Sequence, residues 1–189
     1  MPTTQCPDIL AFVEGTMERI FLNSNFSSIN VIPILNGNSW NTQTLCAQII
    51  TKFKARKQFP GQIVVWMDRE DNPDSILVIG NAIRSAFSGA GFPPDKVHCL
   101  ISDKMCENLM LADESMIRKE LTIPQYVYQF EGQNGKHHMK ELWKQRNKNY
   151  KETIHGPNLL KKMRLSRARS LSGGVDQFLG TFQSNCWWL

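Results

Sequence analysis

Glu14 ends the apolar run ILAFV and is followed at once by glycine in VEGTMERIF, while Asp68, Glu70 and Asp71 close a second apolar run in VVWMDREDNPD. Carboxylates gathered in this way repel one another unless something positive sits between them. Mg2+ and Mn2+ are hard cations that prefer carboxylate and water oxygens and leave positions open for a substrate phosphate. Beside a phosphodiester such an ion polarises a phosphoryl oxygen and activates water, so the pattern points to metal-assisted phosphodiester cleavage. A third stretch, CENLMLAD, adds Glu107 and Asp113 to the candidate set, provided that its helix turns them toward the other acids. The plainer reading of 68–74 is a solvated acidic turn before a helix, where negative charge is favoured.

An α/β layout would bring these acids together. Short runs rich in β-branched residues at Ile9–Val13, Ile29–Leu35, Ile63–Met67 and Val97–Ile101 read as buried strands. Between them the spacing predicts a helix over 40–57, with Leu45, Ile49, Ile50 and Phe53 on one stripe. A second helix is predicted from Asn72-Pro73-Asp74 to Gly89, with Asn72 as its cap and Pro73 in its first turn. Met105 to Leu121 reads as one further helix, Thr122 to Gly135 as a turn-rich connection, and the rest as helical or irregular. Alternating strand and helix implies a mostly parallel sheet with helices on both faces. Ligands of such sheets bind beyond the carboxyl ends of the strands, where Glu14 and Asp68 fall. A strand that continued past Asp68 would aim Asp68 and Glu70 the same way, since the period is two.

The chain has 189 residues, 41% hydrophobic and 21% charged, which suits a folded domain and excludes a disordered one. The expected organisation is an α/β core over 1–121 and a helical, basic C-terminal extension over 122–189 packed on it. The formal charge of +5 is concentrated in KHHMKELWKQRNKNYK and KKMRLSRAR. Lys161, Lys162, Arg164, Arg167 and Arg169 alternate with Leu160, Met163 and Leu171, as in an amphipathic helix docked by its apolar side. Its basic side would track a nucleic-acid backbone, DNA or RNA, unless it is simply a solvated face.

Cys6, Cys46, Cys99, Cys106 and Cys186 lack the CxxC spacing of a zinc site and read as reduced thiols. His137 and His138 are adjacent rather than four apart on a helix, so they do not form a zinc pair. His155 reads as a turn residue before Gly156-Pro157, and Gly61, Gly173 and Gly174 as punctuation. The terminal CWWL is apolar enough to belong to a core or an interface. No run is long enough to span a membrane, and MPTTQCPDIL lacks the signature of a secretion signal, so a cytoplasmic protein is expected.

Taken in order, FVEGTMERIF, IVVWMDRED, CENLMLAD and HGPNLLKKMRLSRARSLSGGVDQFLGTF resemble the Toprim-like DUF4276 family, relatives of the overcoming-lysogenization-defect nucleases. That family shows a Glu-Gly after the first strand, an Asp-x-Asp or similar pair after a later one, an aromatic-bearing helix with a glutamate, and a C-terminal Ser-Phe-like helix. The resemblance implies that Glu14 is a metal ligand or general acid/base at the scissile phosphate, with Asp68 and Glu70 as the metal-binding pair. Here the second acid is Glu70 or Asp71 rather than aspartate at a fixed spacing, and Leu109 stands where an aromatic is expected. The implied activity is a Mg2+- or Mn2+-dependent nuclease acting on DNA or RNA, tRNA included. Its implied setting is bacterial antiphage defence beside an ABC- or AAA-type ATPase, with a homo-oligomer compatible with it. The chain itself carries no GxxxxGK[ST] loop. The alternative is a non-catalytic subunit that scaffolds or regulates the ATPase. A third reading is a domain for small-molecule phosphotransfer or nucleotide binding, because fold alone does not dictate function.

Overall fold

A computed structural model describes residues 8–35, 39–56 and 58–182. Four strands, β1 (Ile9–Val13), β2 (Ile29–Pro33), β3 (Gln62–Asp68) and β4 (Val97–Ser102), form one all-parallel sheet in the order β2-β1-β3-β4. The α/β architecture read from the sequence is therefore the one observed. Alternation sorts the two central strands onto two cores. Leu10, Phe12, Ile63, Val65 and Met67 meet α2 (Thr42–Lys54) and α3 (Ile76–Gly89) through Leu45, Ile49, Phe53, Ile79, Ile83 and Phe87. On the opposite face Ile9, Ala11, Val13, Val64 and Trp66 pack against α1 (Thr16–Asn25) and the helices of the second half of the chain.

Those later helices are α4 (Cys106–Ala112), α5 (Glu114–Leu121), α6 (Gly135–Lys144), α7 (Glu152–Lys162), α8 (Leu165–Ala168) and α9 (Gly173–Thr181). Two glycines permit the tightest approaches. A side chain at Gly174 would run into the Ile101 carbonyl of β4, so α9 lies directly on the strand. One at Gly156 would strike Met17, so α7 lies directly on α1.

Several boundaries differ from the sequence reading. Strand β2 stops at Pro33 because β1, its partner, ends at Val13; Leu35 then turns with a φ of 62°. Helix α2 begins at Thr42, since Asn41 and Thr44 cap each other reciprocally, and ends at Lys54. Helix α3 begins at Ile76 and not at Pro73: Ser75 accepts from the Val78 amide, while Asn72 spends its side chain on the Asp74 amide at 2.9 Å. The single helix expected over 105–121 is two helices, broken at Asp113, whose φ and ψ of −82° and 75° leave the helical region. The basic KKMRLSRAR stretch is not one amphipathic helix either, because Met163 and Arg164 are extended between α7 and α8. His155 lies inside α7 rather than in a loop, where its Nδ1 accepts from the Lys151 amide at 2.8 Å.

Cys46, Cys99 and Cys106 are free thiols, while Cys6 and Cys186, like the CWWL segment and the end of the helix expected at Lys57, lie outside the described residues. No helix among the described residues is long and apolar enough to cross a membrane.

Candidate functional site

All strands are parallel, so β1, β3 and β4 deliver their carboxyl ends to the same edge of the sheet. Glu14 is the first residue past β1, and its amide still donates to the Trp66 carbonyl of β3 at 3.2 Å. That bond fixes the backbone, and the side chain then crosses to β3: Glu14 Oε2 accepts the Asp68 amide at 3.0 Å. Glu14 and Asp68 therefore share one side of the sheet edge, as a joint site requires.

Gly15 caps α1 and leaves room above its Cα for the carboxylate of Glu18, three residues on. Glu18 is 3% exposed; it accepts from the Cys106 thiol, and its Oε2 is buried with no hydrogen-bond partner. Asp68, at the tip of β3, is braced by the Cys106 amide, and its Oδ1 is likewise buried without a partner. Helix α4 adds Glu107 in its first turn, also 3% exposed, to which the Tyr150 hydroxyl donates at 3.4 Å.

A cleft of about 500 Å³ opens over this edge, lined by Glu14, Asp68, Glu70 and Glu107 and bounded by Arg19, Lys136 and Glu152. Lys136, at the start of α6, and Glu152, at the start of α7, form an ion pair. Burial pushes Glu14 up to about 7, against the pull of the Asp68 amide and with further lift from the charges of Glu70 and Glu18. Glu107 is also pushed up to about 7, again chiefly by burial. Desolvation raises Glu18, and it raises Asp68 well above the ordinary carboxyl range, with Glu18, Glu14 and Glu107 adding their repulsion. Buried carboxyls that lift one another toward neutrality mark functional-site candidates.

Not every acid flagged by the sequence arrives here. Glu70 lines the cleft, but not by continuing the strand: β3 ends at Asp68, and Glu70 turns with a φ of 52° while its amide donates to the Lys104 carbonyl. Asp71 points to solvent, 91% exposed, and pairs with Lys104. Asp113 lies away from the cleft as well. It is fully buried, clamped on the Arg167 guanidinium with contacts of 2.6–3.0 Å, and accepts the amides of Met116 and Arg164. Its role is to tie α8 to the start of α5.

Among the basic residues, Lys161, Lys162, Arg164 and Arg167 line a separate pocket with Lys119, whereas Arg169 is turned toward α9, where it pairs with Asp176. His138 stacks on Phe130 and bonds Gln133, consistent with a packing role.

Glu18, Lys136 and Glu152 were not singled out from the sequence. A signal for Glu18 does exist: glycine at a helix cap followed three residues later by glutamate is half of a capping box, and it puts that acid in the first turn. Nothing in the local sequence marks Lys136 or Glu152, which arrive from distant helices.

The all-oxygen donor set, with unpartnered oxygens on Asp68 and Glu18, suits a hard divalent cation by its chemistry. Among the described residues, however, no three His, Cys, Asp or Glu side chains stand arranged to hold a metal ion without adjustment. Comparison of the chain with family models, with curated proteins and with solved structures finds no match.

Proposed function

We propose that the protein is a Toprim-like, metal-dependent nuclease that hydrolyses phosphodiester bonds in DNA or RNA at the cleft between Glu14, Asp68 and Glu107. One observation carries this reading: four carboxyls from three separate segments meet at the carboxyl edge of a parallel sheet, under-partnered and lifted toward neutrality. Mg2+ or Mn2+, when bound, supplies Lewis-acid polarisation of the phosphoryl oxygen and a more acidic water. Asp68 and Glu18 offer the oxygens left without partners, and Glu70 lies at the rim to complete a shell.

Glu14, with a pKa about 7, exchanges a proton at physiological pH and suits general acid–base work on the attacking water or the leaving oxygen. Lys136 presents a positive charge to a phosphate entering the cleft, and Glu152 holds that side chain in place. The resemblance set out above extends this proposal to an effector of antiphage defence that works with an ABC- or AAA-type ATPase.

Lys136 also favours a second reading. Its ammonium feels the charges of Glu107 and Asp68 and so already offsets part of the acidic cluster. A non-catalytic subunit that scaffolds a partner ATPase would use the lysine in this way, as a permanent substitute for a cation.

Cleavage of DNA, total RNA and tRNA with Mg2+ or Mn2+, with and without the partner ATPase, separates the two readings. Cleavage by the wild type that Glu14→Gln and Asp68→Asn abolish supports the nuclease. Failure to cut under every condition, together with no Mn2+ binding by calorimetry, puts the scaffold first.

A further inference from the structure

The basic residues near the end of α7 are folded around a pocket of about 530 Å³ between α5, the carboxyl end of α7 and α8. Lys119, Lys161, Lys162, Arg164 and Arg167 line it, with Glu120 as the acid among them. Counting Asp113 beneath Arg167, five cations meet two carboxylates, an excess of three positive charges. Lys162 is paired with Glu120, but Lys119 and Lys161 have no ion-pair partner among the described residues. Such crowding is unfavourable unless an anion shares the pocket.

The pocket is also partly pre-organised. Asp113, which left the candidate acid site, grips the Arg167 guanidinium through two nitrogens and pins the Arg164 amide at 2.9 Å. Arg167 also donates to the Lys162 carbonyl at 3.2 Å, so α8 and the end of α7 hold their cations at fixed places. A guanidinium already ordered loses little entropy when it binds, and a planar fork beside flexible ammonium groups matches a group with several acceptor oxygens and more than one charge. A single carboxylate would leave much of the charge excess unanswered.

We propose that this pocket is a phosphate-binding site, taking either backbone phosphates of a nucleic acid or a free phosphate group. Helix α7 joins it to the acidic cleft: Glu152 opens the helix at the cleft, and Lys162 closes it at the pocket. At a rise of about 1.5 Å per residue the two ends lie roughly 15 Å apart, the length of about four or five stacked nucleotides. A strand anchored in the pocket thus reaches the cleft. That spacing rests on the nuclease reading, while the phosphate chemistry of the pocket does not.

The test is binding, with no cleavage involved. Fluorescence anisotropy of a labelled single-stranded oligonucleotide is measured over a salt series for wild type, for Lys119→Gln with Lys161→Gln, and for a control with Lys140→Gln and Lys144→Gln on α6. All four lysines are exposed, so melting curves should be unchanged. The pocket variant is expected to lower the slope of log K against log salt by about 2, while the control leaves it near the wild-type value. Competition by pyrophosphate that the pocket variant no longer feels assigns the site to a free or terminal phosphate; binding without such competition assigns it to the backbone. Equal losses in both variants, or no binding of either probe by the wild type, overturns the proposal. Because cleavage is not read, failure here is distinct from failure of the acidic cleft.

Discussion

At the scale of residues, the site depends on Gly15 as much as on its acids. Alanine at this position is compatible with a φ of −86°, so the backbone cost is small. The added methyl would nevertheless meet the Glu18 carboxylate, the far end of a flexible side chain that can swing aside. Gly15→Ala is therefore expected to melt within a few degrees of the wild type while losing much of its Mn2+ affinity and its cleavage. Calorimetry beside a melting curve checks this, and unchanged metal binding would show that Glu18 plays no part in holding the ion. The positions of Glu14 and Asp68 were legible because each directly follows an apolar run. The exclusion of Asp71 and Asp113 was not, because whether an acid turns inward depends on whether Lys104 or Arg167 is there to take it.

At the scale of elements, the break between α4 and α5 matters most. Asp113 caps α5 through the Met116 amide, receives the Arg164 amide and anchors Arg167, and it does all this fully buried. Asp113→Ala would leave those amides unpaired, which predicts a loss of about 2–4 kcal/mol in urea unfolding. The same variant should weaken oligonucleotide binding at the basic pocket without altering Mn2+ binding at the cleft. Helical periodicity could not reveal this break, since the apolar stripe runs on through Leu109, Met116 and Ile117 and gives no sign of a change in direction.

At the scale of the whole molecule, the buried acids link folding to pH. Glu14 and Glu107 move from an ordinary 4.5 to about 7 on folding, so the native state holds their protons more tightly than the unfolded chain does. Their contribution is fully present below 4.5 and is lost as pH rises through 7. His98 acts in the opposite sense: burial, and then Arg84, push it down to about 4 from 6.5, so it withdraws stability as pH falls through that interval. Above 6.5, of these three groups, the carboxyls set the slope. In chelator, Tm is expected to fall between pH 6.5 and about pH 8, and added Mn2+ should raise Tm more at the higher pH, where it replaces the lost protons. A Tm independent of pH over this range, or a Mn2+ effect equal at both ends, would remove the acidic cleft as a cation site.

The sequence by itself determined the α/β alternation, the placement of Glu14 and Asp68 at strand ends, and the concentration of positive charge in the second half of the chain. These are properties of local patterning: a period of two in the strands, a period near 3.6 in the helices, and acids just past apolar runs. Only the tertiary structure decided which side chains share a cleft. Glu107 reaches it because Asp113 breaks the helix behind it, Glu18 because Gly15 makes room, and Lys136 because α6 is brought back to the sheet edge from far along the chain. Such meetings depend on how helices pack over a sheet, and no short window of sequence contains both partners.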